Sequence, residues 1–74
     1  MYILIELQTT NGTTANIVSA YEDKLQAESA YHSVLASAAT SQVWLHAAVL
    51  LDERGNLLKR EFYRHHAEPE PAAE

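Results

Sequence analysis

Residues 1–21, MYILIELQTTNGTTANIVSAY, decide the fold, because they place Asn11 and Gly12 between two runs with the composition of β-strands. Both runs are rich in β-branched and large apolar residues, which pack well on a pleated surface. An Asn-Gly dipeptide between such runs is typical of a type I′ turn, in which both central residues take a positive φ. The sequence therefore predicts a β-hairpin whose strands cover residues 1–10 and 13–21.

A two-residue loop pairs Thr10 with Thr13 and thereby fixes which residues share a face of the hairpin. On one face the predicted pairs are Leu7 with Asn16, Ile5 with Val18, and Ile3 with Ala20. On the reverse face they are Glu6 with Ile17, Leu4 with Ser19, and Tyr2 with Tyr21. The first face has the composition of a core, and we expect it to be the core side. The second is half apolar.

A helix is predicted to follow the hairpin. Asp23 is a favourable N-cap residue, and Gln26 stands three residues later, in capping-box position. Residues 24–39 contain no Gly or Pro, and their apolar side chains recur at helical spacing. The members of this stripe are Ala27, Ala30, Tyr31, Val34, Leu35 and Ala38.

Two further strands are predicted, over residues 43–51 and 57–64, with a turn over residues 52–55 between them. The resulting class is α+β with the order ββαββ: a four-stranded, mainly antiparallel sheet with one helix packed on one face. The order of the strands in the sheet stays open. In the second hairpin we expect Asp52 opposite Asn56, His46 opposite Phe62, Trp44 opposite Arg64, and Ala48 opposite Arg60.

Composition limits the function classes. The chain has 74 residues, a formal net charge of −5 and no Cys, so disulfides and Cys-based zinc sites are excluded. We expect a single domain over residues 1–64 and a disordered acidic tail rich in Pro, Glu and Ala over residues 65–74. The sequence lacks a membrane-spanning apolar run and the basic excess that binding to a nucleic-acid polymer needs. A cytoplasmic protein is the expectation.

The third predicted strand is apolar on both faces, although one helix covers only one face of a sheet. Val43, Leu45, Ala47, Val49 and Leu51 alternate with Trp44, His46, Ala48 and Leu50. A strand that is apolar on both faces is typically buried on both faces by other parts of the protein. The tail is too polar to supply it, so we expect the second face to be buried in a homodimer or higher oligomer.

The sequence holds no catalytic signature. The four His residues lack the spacing of a metal site, and turn geometry accounts for both Gly residues. We therefore predict neither enzymatic activity nor a cofactor nor a bound metal, and keep a small hydrolase or metal enzyme only as a remote alternative.

Basic and aromatic residues are concentrated near the end of the predicted domain. Four of the five Lys and Arg residues lie between residues 54 and 64. A guanidinium beside an aromatic ring suits a phosphate next to a stacked base, or an acidic peptide. The predicted ligand-binding residues are Arg60 and Arg64 for charge, Trp44 and Tyr63 for stacking, and His46 for a hydrogen bond. The alternative is that these charges only protect an edge strand from aggregation.

The run AYEDKLQAESAYH, the segment VWLHAAVLLDERG and the closing KREFYRH resemble a set of small proteins encoded in phage and prophage regions of Gram-positive gut bacteria. The resemblance covers residues 1 to about 65 and brings no assigned activity or functional residues. It implies a virus-encoded accessory protein in the host cytoplasm. We expect such a protein to act by binding, as a counter-defence protein that sequesters an anionic nucleotide signal or blocks a host defence protein. The alternative is a structural or assembly component of a phage particle.

Overall fold

The structure, a computed structural model, describes residues 1–65 and has the predicted element order ββαββ. The elements are strand β1 (Tyr2–Thr10), strand β2 (Thr13–Tyr21), helix α1 (Lys24–Thr40), strand β3 (Leu45–Asp52) and strand β4 (Leu57–Arg64). The four strands form one sheet in the order β2-β1-β3-β4, and all neighbours are antiparallel. The predicted fold class is confirmed. From His66 onward the predicted tail lies outside the described residues.

The first hairpin has the predicted turn and register. Asn11 and Gly12 take φ values of 54° and 78°, as a type I′ turn requires. The strands pair from Thr10 with Thr13 to Tyr2 with Tyr21 without a shift. The Asn-Gly dipeptide thus determines the position of every side chain in β1 and β2.

Helix α1 packs its predicted apolar stripe against the sheet. The Asp23 carboxylate accepts a hydrogen bond from the Leu25 amide at 3.4 Å and caps the first turn. The buried core combines two helix residues with three strand residues, namely Ala27, Tyr31, Leu4, Ala48 and Leu50. Burial, together with the nearby Glu61 charge, raises the pKa of Tyr31.

The helix covers the opposite face of the hairpin from the one predicted as core. Leu4 is buried beneath it and Tyr2 and Tyr21 pack around the core, so the expectation that Ile3, Ile5 and Leu7 face the helix is wrong. The strand order makes β2 parallel to β3, so α1 is a crossover connection that passes over β1. The handedness of such a connection, rather than the number of apolar residues on each face, selects the face that the helix covers.

The second hairpin departs from the predicted register by one residue. Leu51 pairs with Leu57 as predicted, but a β-bulge next to this pair leaves Leu58 without a partner on β3. The predicted pairs beyond it are therefore wrong: His46 lies opposite Tyr63, Ala48 opposite Glu61, Val49 opposite Arg60 and Leu45 opposite Arg64. Strand β3 also begins at Leu45 rather than at residue 43.

The turn between β3 and β4 is organised by Asp52. Its carboxylate accepts hydrogen bonds from the backbone amides of Arg54 and Asn56 and from the Asn56 side chain, each at 2.9 Å. Led by the side-chain bond, these contacts hold the pKa of Asp52 below its usual range. Gly55 completes the turn with a φ of 87°.

The sheet face opposite α1, here called the open face, is covered by no element within residues 1–65. Alternation along the strands places mostly aliphatic side chains on it: Ile3, Ile5, Leu7, Val18, Ala20, Leu45, Ala47, Val49 and Leu51. None of them is fully buried, and Val18 is 59% exposed. Two of the nine are exposed and seven are partly buried, so this face keeps accessible aliphatic surface in a single chain.

Candidate functional site

Three of the predicted ligand-binding residues, which we call the Arg–Trp cluster, lie on or beside the hairpin of β3 and β4: Trp44, Arg60 and Arg64. Arg60 and Arg64 lie four residues apart on β4 and pair with Val49 and Leu45, so both belong to the open face. The Cζ atom of Arg64 lies 5.7 Å from the centre of the Trp44 ring, within the range of a cation–π contact. Arg64 therefore lies against an aromatic surface, and Arg60 lies about 13 Å away along the same face of β4.

The charges of this cluster are not neutralised by an ion pair within residues 1–65. Among the described residues, short contacts between basic and acidic groups join the Met1 amino group to Glu53 and the His46 ring to Glu6, and neither arginine takes part in one. Both arginines are exposed. Guanidinium groups in this state bind phosphate or carboxylate through two parallel N–H···O hydrogen bonds.

Tyr63 lies on the helix-covered side of the sheet, away from the two arginines. Its ring stacks on that of His65, with 6.5 Å between centres and 17° between planes. His65 is held by its backbone amide, which donates to the Trp44 carbonyl at 2.8 Å, and by its Nε2, which bonds the Ala38 carbonyl at 2.8 Å. Tyr63 thus contacts His65, which directly follows β4, and does not extend the Arg–Trp cluster.

His46 is 3% exposed and uses both ring nitrogens inside the chain. Its Nε2 lies 2.6 Å from the Glu6 carboxylate, which also accepts from the Gln8 side chain at 2.9 Å. Its Nδ1 lies 3.1 Å from the Ser41 hydroxyl, which accepts from the Val43 amide at 3.0 Å. A neutral imidazole satisfies this network with Nε2–H donating to Glu6 and Nδ1 accepting from Ser41. In this structure His46 connects β3, β1 and the end of α1 rather than facing the Arg–Trp cluster.

The order Ser41, His46, Glu6 contains the residue types of a hydrolytic triad, but its geometry favours a structural role. A nucleophilic serine needs room for a substrate carbonyl next to its hydroxyl. The Ser41 hydroxyl instead lies between a buried imidazole and the amide of Val43, directly after the end of α1. The network therefore joins the helix end to the sheet.

The sequence did not reveal that Glu6 and His46 meet. The signal was present, because each is a polar residue that directly follows and precedes an apolar residue in its strand. Their contact depends on β1 and β3 being adjacent, with Gln8 opposite His46. Without the strand order, the two residues had no reason to be considered together.

Besides the Arg–Trp cluster, a concavity lies at the other end of the sheet, beside the turn between β3 and β4. It has a volume of about 420 Å³ and is lined by Tyr2, Lys24, Glu28, Leu50, Asp52, Leu58 and Lys59. Its size suits a small ligand. Its two lysines are balanced by two carboxylates, so its charge does not favour an anion as that of the Arg–Trp cluster does.

No helix within residues 1–65 is long and apolar enough to cross a membrane. The same residues contain no group of three His, Asp or Glu side chains placed to hold a metal ion. Comparison with protein-family models, with curated proteins and with solved structures finds no match to this chain.

Proposed function

We propose that this protein is a non-enzymatic, homo-oligomeric binding protein that captures an anionic ligand at the Arg–Trp cluster. The observation that supports this most directly is the pair of exposed arginines on one face of β4, which form no ion pair within residues 1–65, with Arg64 lying 5.7 Å from the centre of the Trp44 ring. A phosphate would take the guanidinium hydrogen bonds while a base or other planar group lies against the indole. A nucleotide-like small molecule fits both requirements.

The open face is the proposed oligomer interface. Four strands spaced by about 4.8 Å, each eight or nine residues long at about 3.3 Å per residue, give a flat surface of roughly 500 Å² before side-chain relief is counted. Two such faces pack about 10 Å apart in a β-sandwich. A two-fold axis parallel to the strands would place β4 over the partner's β2. Since β2 carries no charged residue, Arg60 and Arg64 would meet no like charge there, and the ligand would bind between the two chains.

The resemblance to phage-encoded proteins supplies the setting for this proposal. In a host cytoplasm, a small protein of this kind would act in counter-defence, by sequestering a nucleotide signal or by binding an acidic surface of a host defence protein. Both ligands share the chemistry of phosphate or carboxylate groups that bind arginine.

Reversing both charges of the cluster tests the ligand site. We expect the double variant Arg60→Glu, Arg64→Glu to keep its circular dichroism spectrum and to lose binding to a panel of fluorescent mono- and dinucleotides, because the two exposed side chains contribute charge rather than core packing. The matched control is Lys24→Glu, Arg54→Glu, which changes the net charge equally at the other end of the sheet. Retained nucleotide binding in the Arg60→Glu, Arg64→Glu variant would contradict binding at the Arg–Trp cluster. Loss of binding only in the control would assign binding to the concavity beside the turn between β3 and β4.

The alternative function is a structural or assembly component of a phage particle, which the open face favours because a larger ring or tube would also cover it. The two functions differ in stoichiometry. A sequestering protein forms a small closed oligomer that its ligand stabilises, by about 2.7 kcal/mol at one hundred times the dissociation constant. A particle component forms larger rings or needs a different partner chain.

A charge at the centre of the open face tests the interface. We expect Val49→Asp to dissociate the face-packed oligomer while leaving the single chain folded, because Val49 is only partly covered within one chain and lies opposite Ile5. Native mass spectrometry of both proteins gives the subunit number. Ser33→Asp, on an exposed position of α1, is the control for added charge. An unchanged subunit number in Val49→Asp would exclude the open face as the interface.

A further inference from the structure

The two edges of the sheet differ in the features that prevent strand pairing. Strand β4 has the sequence LLKREFYR, with four charged residues in eight and a β-bulge at its start. Strand β2 has the sequence TTANIVSAY, with no charge, no Pro and no register shift over nine residues. Charges and bulges are the usual devices that keep an edge strand from pairing with another chain. Strand β2 has neither.

The middle of β2 also carries large apolar side chains on both faces. Ile17 is 54% exposed on the helix side and Val18 is 59% exposed on the open face. Helix α1 buries none of β2 completely, although it packs on the same side as Ile17. An additional strand next to β2 would cover parts of both side chains through cross-strand contacts.

We propose that β2 pairs in antiparallel fashion with β2 of a second copy, so that two sheets join into one of eight strands. The contact is isologous, because a two-fold axis perpendicular to the sheet brings the same nine residues together. Full overlap of the strands places the axis at Ile17, which then lies opposite the partner's Ile17. This edge contact is separate from the ligand site and from packing through the open face, and it depends on neither.

The charge distribution favours a second copy as the occupant. Two uncharged strands meet without repulsion or desolvation of charge at any register position. The alternative self-contact, β2 with β4 of another copy, would extend into an open filament. That contact is opposed by the charges and the bulge of β4. Pairing through β2 therefore stops at two copies, and the open face remains accessible on the joined sheet.

Single cysteines in this Cys-free chain test the pairing directly. Residues that face each other across antiparallel strands have Cα atoms about 4.5–5.5 Å apart, within the range of a disulfide. We expect the Ile17→Cys variant to form a reducible dimer under mild oxidation about tenfold faster than free collision allows, because a bound partner raises the effective thiol concentration. The exposed position of Ile17 makes the substitution compatible with the fold.

Two control variants separate edge pairing from other contacts. In the proposed register Ser19 lies opposite the partner's Ala15, and two Ser19 Cα atoms are about 13 Å apart, so Ser19→Cys should not crosslink. Phe62→Cys places a thiol of similar exposure, 47% for the native residue, on β4, which neither the proposed edge contact nor the proposed face packing brings next to a second β4. Fast crosslinking of Ile17→Cys alone supports the proposal. Equal rates for Ile17→Cys and Phe62→Cys, crosslinking of Ser19→Cys alone, or crosslinking of Ile17→Cys only to another protein in a cell extract would overturn it.

Discussion

Replacing His46 by alanine is expected to lower the free energy of unfolding by about 3 kcal/mol, because, among the described residues, the Glu6 carboxylate then keeps only the Gln8 side chain as a partner in a largely dry site. The Glu6 side chain keeps 19% of its exposure, which places the effect at the lower end for a broken buried pair. The Ser41 hydroxyl loses its bond to Nδ1 at the same time, so the end of α1 is no longer tied to the sheet. Urea denaturation followed by circular dichroism measures the loss.

His32 provides the matched control, since it is exposed on α1. His32→Ala should change the free energy of unfolding by less than about 0.5 kcal/mol. A double-mutant cycle with Glu6→Gln isolates the pair itself, because the loss from His46→Ala should be smaller when Glu6 carries no charge. A loss below about 1 kcal/mol for His46→Ala would show that the network contributes little to stability.

Truncating the centre of the core is the second large effect. Leu50 is 1% exposed and packs with Leu4 and Tyr31 in a core built otherwise from alanines. We expect Leu50→Ala to lower the free energy of unfolding by about 3 kcal/mol, because apolar burial is lost and a cavity remains. A domain of this size has a total free energy of unfolding of roughly 4–11 kcal/mol, so the variant should unfold at a much lower urea concentration than the native protein.

Leu25 shows what the same substitution does without burial. It is 73% exposed in the first turn of α1, and alanine is the better helix former. Leu25→Ala should therefore leave the urea midpoint nearly unchanged. Equal losses at residues 25 and 50 would contradict the position of the core.

Local signals in the sequence predicted the elements and the first hairpin, because these depend on short-range chemistry. The Asn11-Gly12 turn fixed nine pairs of residues, and the alanine-rich stripe placed α1. The open apolar face was also expected, although on the wrong side of the sheet. Which side the helix covers depends on β2 and β3 being separated by β1, and no local pattern contains that order.

The candidate site could be predicted only where strand neighbours were already known. Arg64 and Trp44 are in contact because Trp44 directly precedes β3 and Arg64 ends the neighbouring β4, whereas Arg60 shares only the sheet face of Arg64. His46 was assigned to a ligand because its partner Glu6 lies forty residues earlier, on a strand whose adjacency to β3 was not readable. A polar residue in an apolar strand is explained by its tertiary partner, and that partner requires the topology.

The bulge at Leu58 decides which chemistry the outer half of β4 presents to each side of the sheet. If the register of the turn continued without the bulge, Arg60 would lie opposite Ala48, on the helix-covered face. The extra residue instead places Arg60 and Arg64 on the open face. It places Glu61 and Tyr63 on the helix-covered face. Deleting one residue there would exchange the two sets and bring guanidinium groups toward the core. A single inserted residue thus gives this small chain a basic outer surface without any change in its charged residues. Related sequences that keep this surface must therefore preserve the number of residues in this region more strictly than their types.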